Sequence, residues 1–208
     1  MDTHKTSEVI CVFGIRGSGK TTWTRKYVDR KPNVIAFDFL SQFNNMVVIQ
    51  DYFDLREYFE KGKPSTFRIS FRPVSDIDYF PLACVLVKSI GIAYGNVIFC
   101  IDEVDRYCSA TWEPPEFREL ISQGRHYNVS LICTSRTPAE VSKLLTSQAS
   151  KFVCFTMHEK RHVEYICSHI GEQGYRLPTL PFYQSIEHDF QQAPHTPASP
   201  VDAPQDIS

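Results

Sequence analysis

The chain has 208 residues, 42% of them hydrophobic, and a formal net charge of −2; this suits one moderate-sized domain with its own core. The charge argues against a protein that coats nucleic acid by bulk attraction, so any such contact must come from a local patch or the lining of an assembly. No apolar stretch reaches the roughly 18 uncharged residues of a membrane-spanning helix, Met1–Glu8 has no signal-peptide character, and the seven cysteines lie mostly in apolar runs (Cys11, Cys84, Cys100, Cys133, Cys154), as reduced core residues do.

In chain order, short apolar, β-branched runs alternate with longer helix-like segments. The strand candidates are Val9–Phe13, Val34–Phe39, Met46–Ile49, Phe67–Phe71, Val97–Ile101, Ser130–Cys133 and Phe152–Phe155. The helix candidates are Lys20–Asp29, Tyr52–Lys61, Ile77–Ile90, Pro115–Gly124, Ala139–Ser147 and Glu159–His169. Near-continuous apolar strands alternating with helices predict an α/β domain with a mostly parallel sheet covered on both faces. Residues 1–190 read as that domain. Gln191–Ser208 is proline-rich and poor in large apolar residues, the composition of a disordered or docking tail.

Gly14-Ile15-Arg16-Gly17-Ser18-Gly19-Lys20-Thr21 fits G-x-x-x-x-G-K-[ST] in full. Glycines let the backbone wrap tightly, so successive N–H groups point at phosphate oxygens, and the following helix adds its positive end. Lys20 is placed for the β- and γ-phosphates and the Thr21 hydroxyl for Mg²⁺. The expected nucleotide contacts are Gly14, Arg16, Gly17, Ser18, Gly19, Lys20, Thr21 and Thr22, with ATP and Mg²⁺ as cofactors. The second element is the strand Val97–Ile101 ending in Asp102-Glu103. It puts two carboxylates at the sheet edge where ligands bind in open α/β folds. Asp102 is the expected second metal ligand and Glu103 the base that activates water. Alone, such a pair reads equally well as exposed acids at a strand end; a complete P-loop upstream tips the balance. A nucleotide kinase needs no water-activating glutamate there, whereas a hydrolytic motor does.

VIFCIDEVDRY (97–107), GRHYNVSLICTSRTPAEV (124–141) and SQASKFVCF (147–155) extend the pattern. From the P-loop to about Gly171 the chain resembles the HerA–FtsK superfamily, most of all the small genome-packaging ATPases of internal-membrane viruses with double-jelly-roll capsid proteins. The resemblance implies a three-layer, RecA-like P-loop NTPase fold of the ASCE type. It puts Arg125 in the position of an arginine finger acting on a neighbouring subunit, with Arg106, Arg118 and Arg136 as rivals. It matches Thr134 and Arg136 to the outer members of a Thr-Gln-Arg motif whose middle position is Ser135 here. The catalytic set it implies is Glu103, Arg125, Thr134 and Arg136.

The function implied is ATP-driven translocation of double-stranded DNA by a ring, a homo-hexamer, packaging a viral genome. Further partners would be capsid or viral membrane proteins, and the location the virion or the host cytoplasm. The alternatives are a filamentous-phage secretion ATPase of the zonula-occludens-toxin type, which would carry a transmembrane helix, and a nucleoside or nucleotide kinase. Three basic clusters are candidate DNA contacts: Lys61-Gly62-Lys63, the Arg106–Pro115 loop with Tyr107 and Trp112, and Lys160-Arg161-His162. Cys154, His158, His162 and Cys167 suggest zinc only weakly, because no C-x-x-C pair accompanies them.

Overall fold

The computed structural model describes residues 7–191. The proposed tail therefore lies, from residue 192 on, outside the described residues. Eight strands form one sheet: β1 (Val9–Phe13), β2 (Asn33–Phe37), β3 (Val47–Ile49), β4 (Phe67–Phe71), β5 (Val97–Ile101), β6 (Val129–Ser135), β7 (Lys151–Phe155) and β8 (Ser185–Asp189). Their spatial order is β3-β4-β2-β5-β6-β1-β7-β8. β1 to β7 run parallel, and β8 alone pairs antiparallel, along β7 from Lys151↔Asp189 to Phe155↔Ser185.

Side chains alternate across a strand, and both faces of the central strands are buried. Cys11, Phe13, Ile35, Phe37, Phe99 and Ile101 join one core, whose cover comes from α2 (Tyr52–Gly62), α3 (Asp76–Tyr94), α4 (Pro115–Gln123), α5 (Lys143–Ser147) and α6 (Lys160–Ile170). Ile10, Val12, Val34, Ala36, Ile98, Cys100, Ile132 and Val153 join the other, together with Val28 of α1 (Lys20–Val28), Phe43 and Met46. Among the described residues one face thus carries five helices and the other a single helix and a loop. Burial pushes the Cys11, Cys84, Cys100, Cys133 and Cys154 thiols well up, consistent with inert core residues.

The structure departs from the sequence expectation in particular places. β2 stops at Phe37 rather than Phe39, because the buried Asp38 carboxylate accepts from Gln42 N (2.6 Å) and Phe43 N (3.0 Å) and turns the chain. The helix expected over Ala139–Ser147 is a 3₁₀ turn, Pro138–Glu140, followed by α5, which is capped by Ser142 through Leu145 N. α3 continues four residues past Ile90 and ends at Gly95. It is long and apolar enough, by length and composition, to cross a membrane; yet Phe80, Ala83, Cys84, Val87 and Ile90 are buried in the core under the sheet. β8 had no counterpart in the sequence expectation.

Candidate nucleotide site

β1, β5 and β6 end together at one edge of the sheet, as their registers Phe13↔Ser135 and Ile101↔Cys133 show. Residues just past those ends therefore converge. β6 lies between the P-loop strand and the Asp-Glu strand, the ASCE-type arrangement expected. A cleft of about 530 Å³ opens there, lined by Arg16, Gly17, Gly19, Lys20, Thr21, Thr22, Arg25, Leu40, Gln42, Asp102, Glu103, Arg136 and Tyr183.

The P-loop is held at its root by its two neighbouring strands. Gly14 N donates to Ser135 O (3.3 Å) and Ile15 N to Thr156 O (3.0 Å). Gly14 has φ 151°, and a Cβ there would meet Phe155 Cβ at 2.6 Å and Ser18 Oγ at 2.7 Å, so only glycine fits. Lys20 Nζ donates to Gly14 O (2.7 Å) and Ile15 O (3.2 Å), bonds that a bound phosphate would replace. Desolvation pulls the Lys20 ammonium down from its ordinary range, and Glu103 nearby opposes this. The Ser18 hydroxyl is buried without a partner; a phosphate oxygen would satisfy it.

The acidic half hangs on Thr134. Its buried hydroxyl donates to Asp102 Oδ1 (2.8 Å) and accepts from Glu103 N (3.0 Å). Glu103 sits at φ 52°, a left-handed conformation uncommon for a glutamate, and this second bond holds it there. Desolvation, with Glu103 and Asp38 as further causes, raises the Asp102 carboxyl to about 6. Asp102 Oδ2 is buried and unpartnered. An orphaned carboxylate oxygen across the cleft from the Thr21 hydroxyl suits a hydrated divalent cation. Arg136 Nε donates to Glu103 Oε1 at 2.9 Å. Ser135 is buried and its hydroxyl accepts from Thr137 N (3.0 Å), closing its own turn instead of facing the cleft. Thr134 and Arg136, not the residue between them, therefore reach the site.

Arg125 is not brought to this edge. It is exposed in the turn that precedes β6, at the opposite end of that strand from Thr134. Arg106 is paired with Asp76 (Nη2–Oδ1 3.1 Å), its guanidinium 3.9 Å from the Phe39 ring centroid, and Arg118 with Glu113 (2.8 Å). Among the DNA candidates Tyr107 is a core residue: it is buried, bonds Asp76 Oδ2 (2.9 Å) and stacks on Phe80 at 4.4 Å. Trp112 of the same loop is exposed. Lys61, Lys160 and Arg161 are engaged by Glu57, Glu164 and Glu140. Buried His162 lies 3.2 Å from Glu159.

Sequence reasoning missed Asp38 and Tyr183. Asp38 accepts from Ser70 Oγ (2.7 Å) and Arg72 Nε (3.0 Å) as well as from its own loop, and so fixes Leu40 and Gln42 at the cleft. These partners are distant in sequence and leave no local signal.

No family model matches the chain. The genome-packaging NTPase B204 of Sulfolobus turreted icosahedral virus 2, solved with AMP, superposes with a TM-score of 0.76 at 17% identity, over 89% of this chain and 93% of that one. The fold is the P-loop NTPase fold of B204. The same protein with AMPPCP superposes at 0.74 and 19% identity over the same shares. In sequence, Protein P9 of Pseudoalteromonas phage PM2 is 24% identical over 144 residues, 69% of this chain. That match spans just under two thirds of the phage protein, 66%.

Proposed function

We propose that the chain is an ATPase that drives double-stranded DNA into a viral capsid as a ring of identical subunits. The observation that carries the ATPase reading is the Lys20, Thr134, Asp102 and Glu103 constellation around one cleft. What supports packaging is the likeness to B204 over about nine tenths of both chains.

In this scheme the P-loop amides and Lys20 hold the triphosphate, with Lys20 leaving the Gly14 and Ile15 carbonyls. Thr21 and Asp102 would hold Mg²⁺, which supplies charge neutralisation on the β- and γ-phosphates. Glu103, its backbone pinned by Thr134, takes a proton from the attacking water as the γ-phosphoryl transfers. Arg136 is close enough to Glu103 to exchange that carboxylate for phosphate. Arg125, at the far end of β6, serves only a neighbour's site, which makes hydrolysis a property of the ring.

The test mixes Arg125→Ala with Glu103→Gln subunits under conditions where rings exchange members. Each is expected to be nearly inactive alone, since a finger in trans is worth about 10³–10⁵ in rate. Mixed rings should regain phosphate release, stimulated by double-stranded DNA. Demonstrated exchange without rescue would remove Arg125 from the site; ATPase activity indifferent to DNA would count against the translocase.

A further inference from the structure

Tyr183 lines the cleft, and the scheme above gives it no role. It lies in the segment Leu180–Gln184, between the 3₁₀ turns that follow α6 and the last strand, β8. That segment is tied to the rest of the fold at two points and closed by a turn of its own. Thr156 Oγ1 donates to Leu180 O (2.6 Å), Tyr183 N donates to Ser18 O in the P-loop (2.8 Å), and Gln184 N donates to Pro181 O (3.2 Å). Tyr183 adopts φ 64°, a left-handed conformation that is costly for a bulky side chain and persists only where the surroundings impose it. Gly19 accommodates the arrangement: a Cβ there would meet Tyr183 Cα at 3.1 Å and Cδ1 at 3.2 Å. The ring is nonetheless 70% exposed, while lining the cleft. Burial in a core does not explain this strained and tethered aromatic.

Its place in the sheet does. Read across the strand ends, the cleft begins past β5 with Asp102 and Glu103, passes Arg136 beyond β6 and the P-loop beyond β1, and reaches the β7–β8 side, where Tyr183 lies. The reactive end of a bound triphosphate is set by Glu103 and Lys20. The other end of the molecule can then lie over the P-loop on its β8 side, where Tyr183 lines the cleft. A flat, apolar ring with a polar tip, presented at that end, matches the chemistry of a nucleobase. We propose that Tyr183 is the stacking platform for the base of the bound nucleotide, a purine, and that β8 exists to carry it over the phosphate loop.

This rests on nucleotide binding at Gly14–Thr22, and the experiment separates the two. Affinities of ATP, ADP, CTP and inorganic tripolyphosphate are measured by titration calorimetry on the wild-type chain and on Tyr183→Ala, Tyr183→Gly and Tyr183→Trp. Stacking on an aromatic is a large fraction of a base's interaction, so Tyr183→Ala should weaken ATP and ADP alike, on the order of tenfold. The preference for ATP over CTP should shrink, tripolyphosphate should bind as before, and Tyr183→Trp should bind ATP at least as well as the wild type. Tyr183→Gly removes the ring but suits the left-handed backbone, and should lose as much as alanine does. Wild-type affinity in Tyr183→Ala or Tyr183→Gly, or an equal loss for tripolyphosphate, would overturn the platform. A wild-type chain that binds neither ATP nor tripolyphosphate would overturn the nucleotide site itself.

Discussion

Replacing Thr134 by valine conserves shape and volume but deletes one hydroxyl. That hydroxyl is 1% exposed and makes the two bonds that organise the acidic half of the cleft. Removing it orphans the Glu103 amide, at about 1–3 kcal/mol, and strips a bond from a carboxylate, at about 1.5–3 kcal/mol. The second loss is capped because Asp102, already raised to about 6, can take up a proton instead of remaining charged and unpaired. The net cost should be about 3 kcal/mol, a fall in melting temperature of about 6–12 °C for a chain of this size. Thr134→Ser keeps both bonds and should lie within about 1 kcal/mol of wild type. Turnover should follow the hydroxyl, because Glu103 holds its left-handed backbone through that bond: we expect a loss of about a hundredfold in valine and much less in serine. Calorimetric melting and steady-state phosphate release on both variants test this. A valine variant that melts within about 2 °C of wild type and still turns over would show that the hydroxyl does not position the pair.

Asp102→Asn should stabilise the nucleotide-free, metal-free protein at neutral pH while abolishing turnover. The wild-type carboxyl is raised from the usual 3.8 to about 6, so the stability due to its neutral form is fully present below about pH 4 and lost as pH rises through 6. A shift of that size is worth about 3 kcal/mol. The variant's advantage should therefore be about that at pH 7.5 and vanish near pH 4, and a gap independent of pH in denaturant titrations would refute the assignment. Arg136→Ala should change stability by less than about 1 kcal/mol, since the pair with Glu103 is partly exposed. It should cut turnover tenfold or more, with Arg136→Lys recovering only part, because lysine lacks the planar fork; wild-type turnover in the alanine variant would remove Arg136 from the chemistry.

Those parts of the site that are contiguous in sequence were legible there. The P-loop declares itself because a backbone cradle needs glycines and a lysine at fixed spacing, and Asp102-Glu103 because a buried parallel strand ends in an abrupt pair of acids. The sheet was legible because its seven parallel strands are short runs dominated by apolar residues, those of β1, β2 and β5 almost unbroken. β8 was not, because Ser-Ile-Glu-His-Asp is an edge strand of mostly polar, half-exposed residues, without the continuous apolar run of the others. With β8 went Tyr183, whose sole trace is an aromatic pair, Phe182-Tyr183, after the last proline turn. Tyr107 erred the other way. An aromatic beside Arg106 looks like a surface contact, but the 3₁₀ turn after Glu103 folds it inward against Phe80 and Asp76. The role of Thr134 as a double hydrogen-bonding partner depends on β6 lying beside β5, which no local pattern encodes.

The phosphate-binding loop is translated well before the strands that support it. Among the described residues β1 pairs with β6 and β7 alone, and the residues at its start bond to Ser130 and Ser150, 122 and 141 positions away. While the chain is being made, β1 can acquire its native geometry only after β7, some 141 positions later, has left the ribosome. Until then an apolar strand ending in a glycine turn is exposed, the situation in which non-local topologies fold slowly and aggregate. A truncated product lacking β7 would hold an intact motif and no cradle. A nucleotide held by this loop would therefore select chains in which β7 is in place, and by binding the native state alone would draw them toward it.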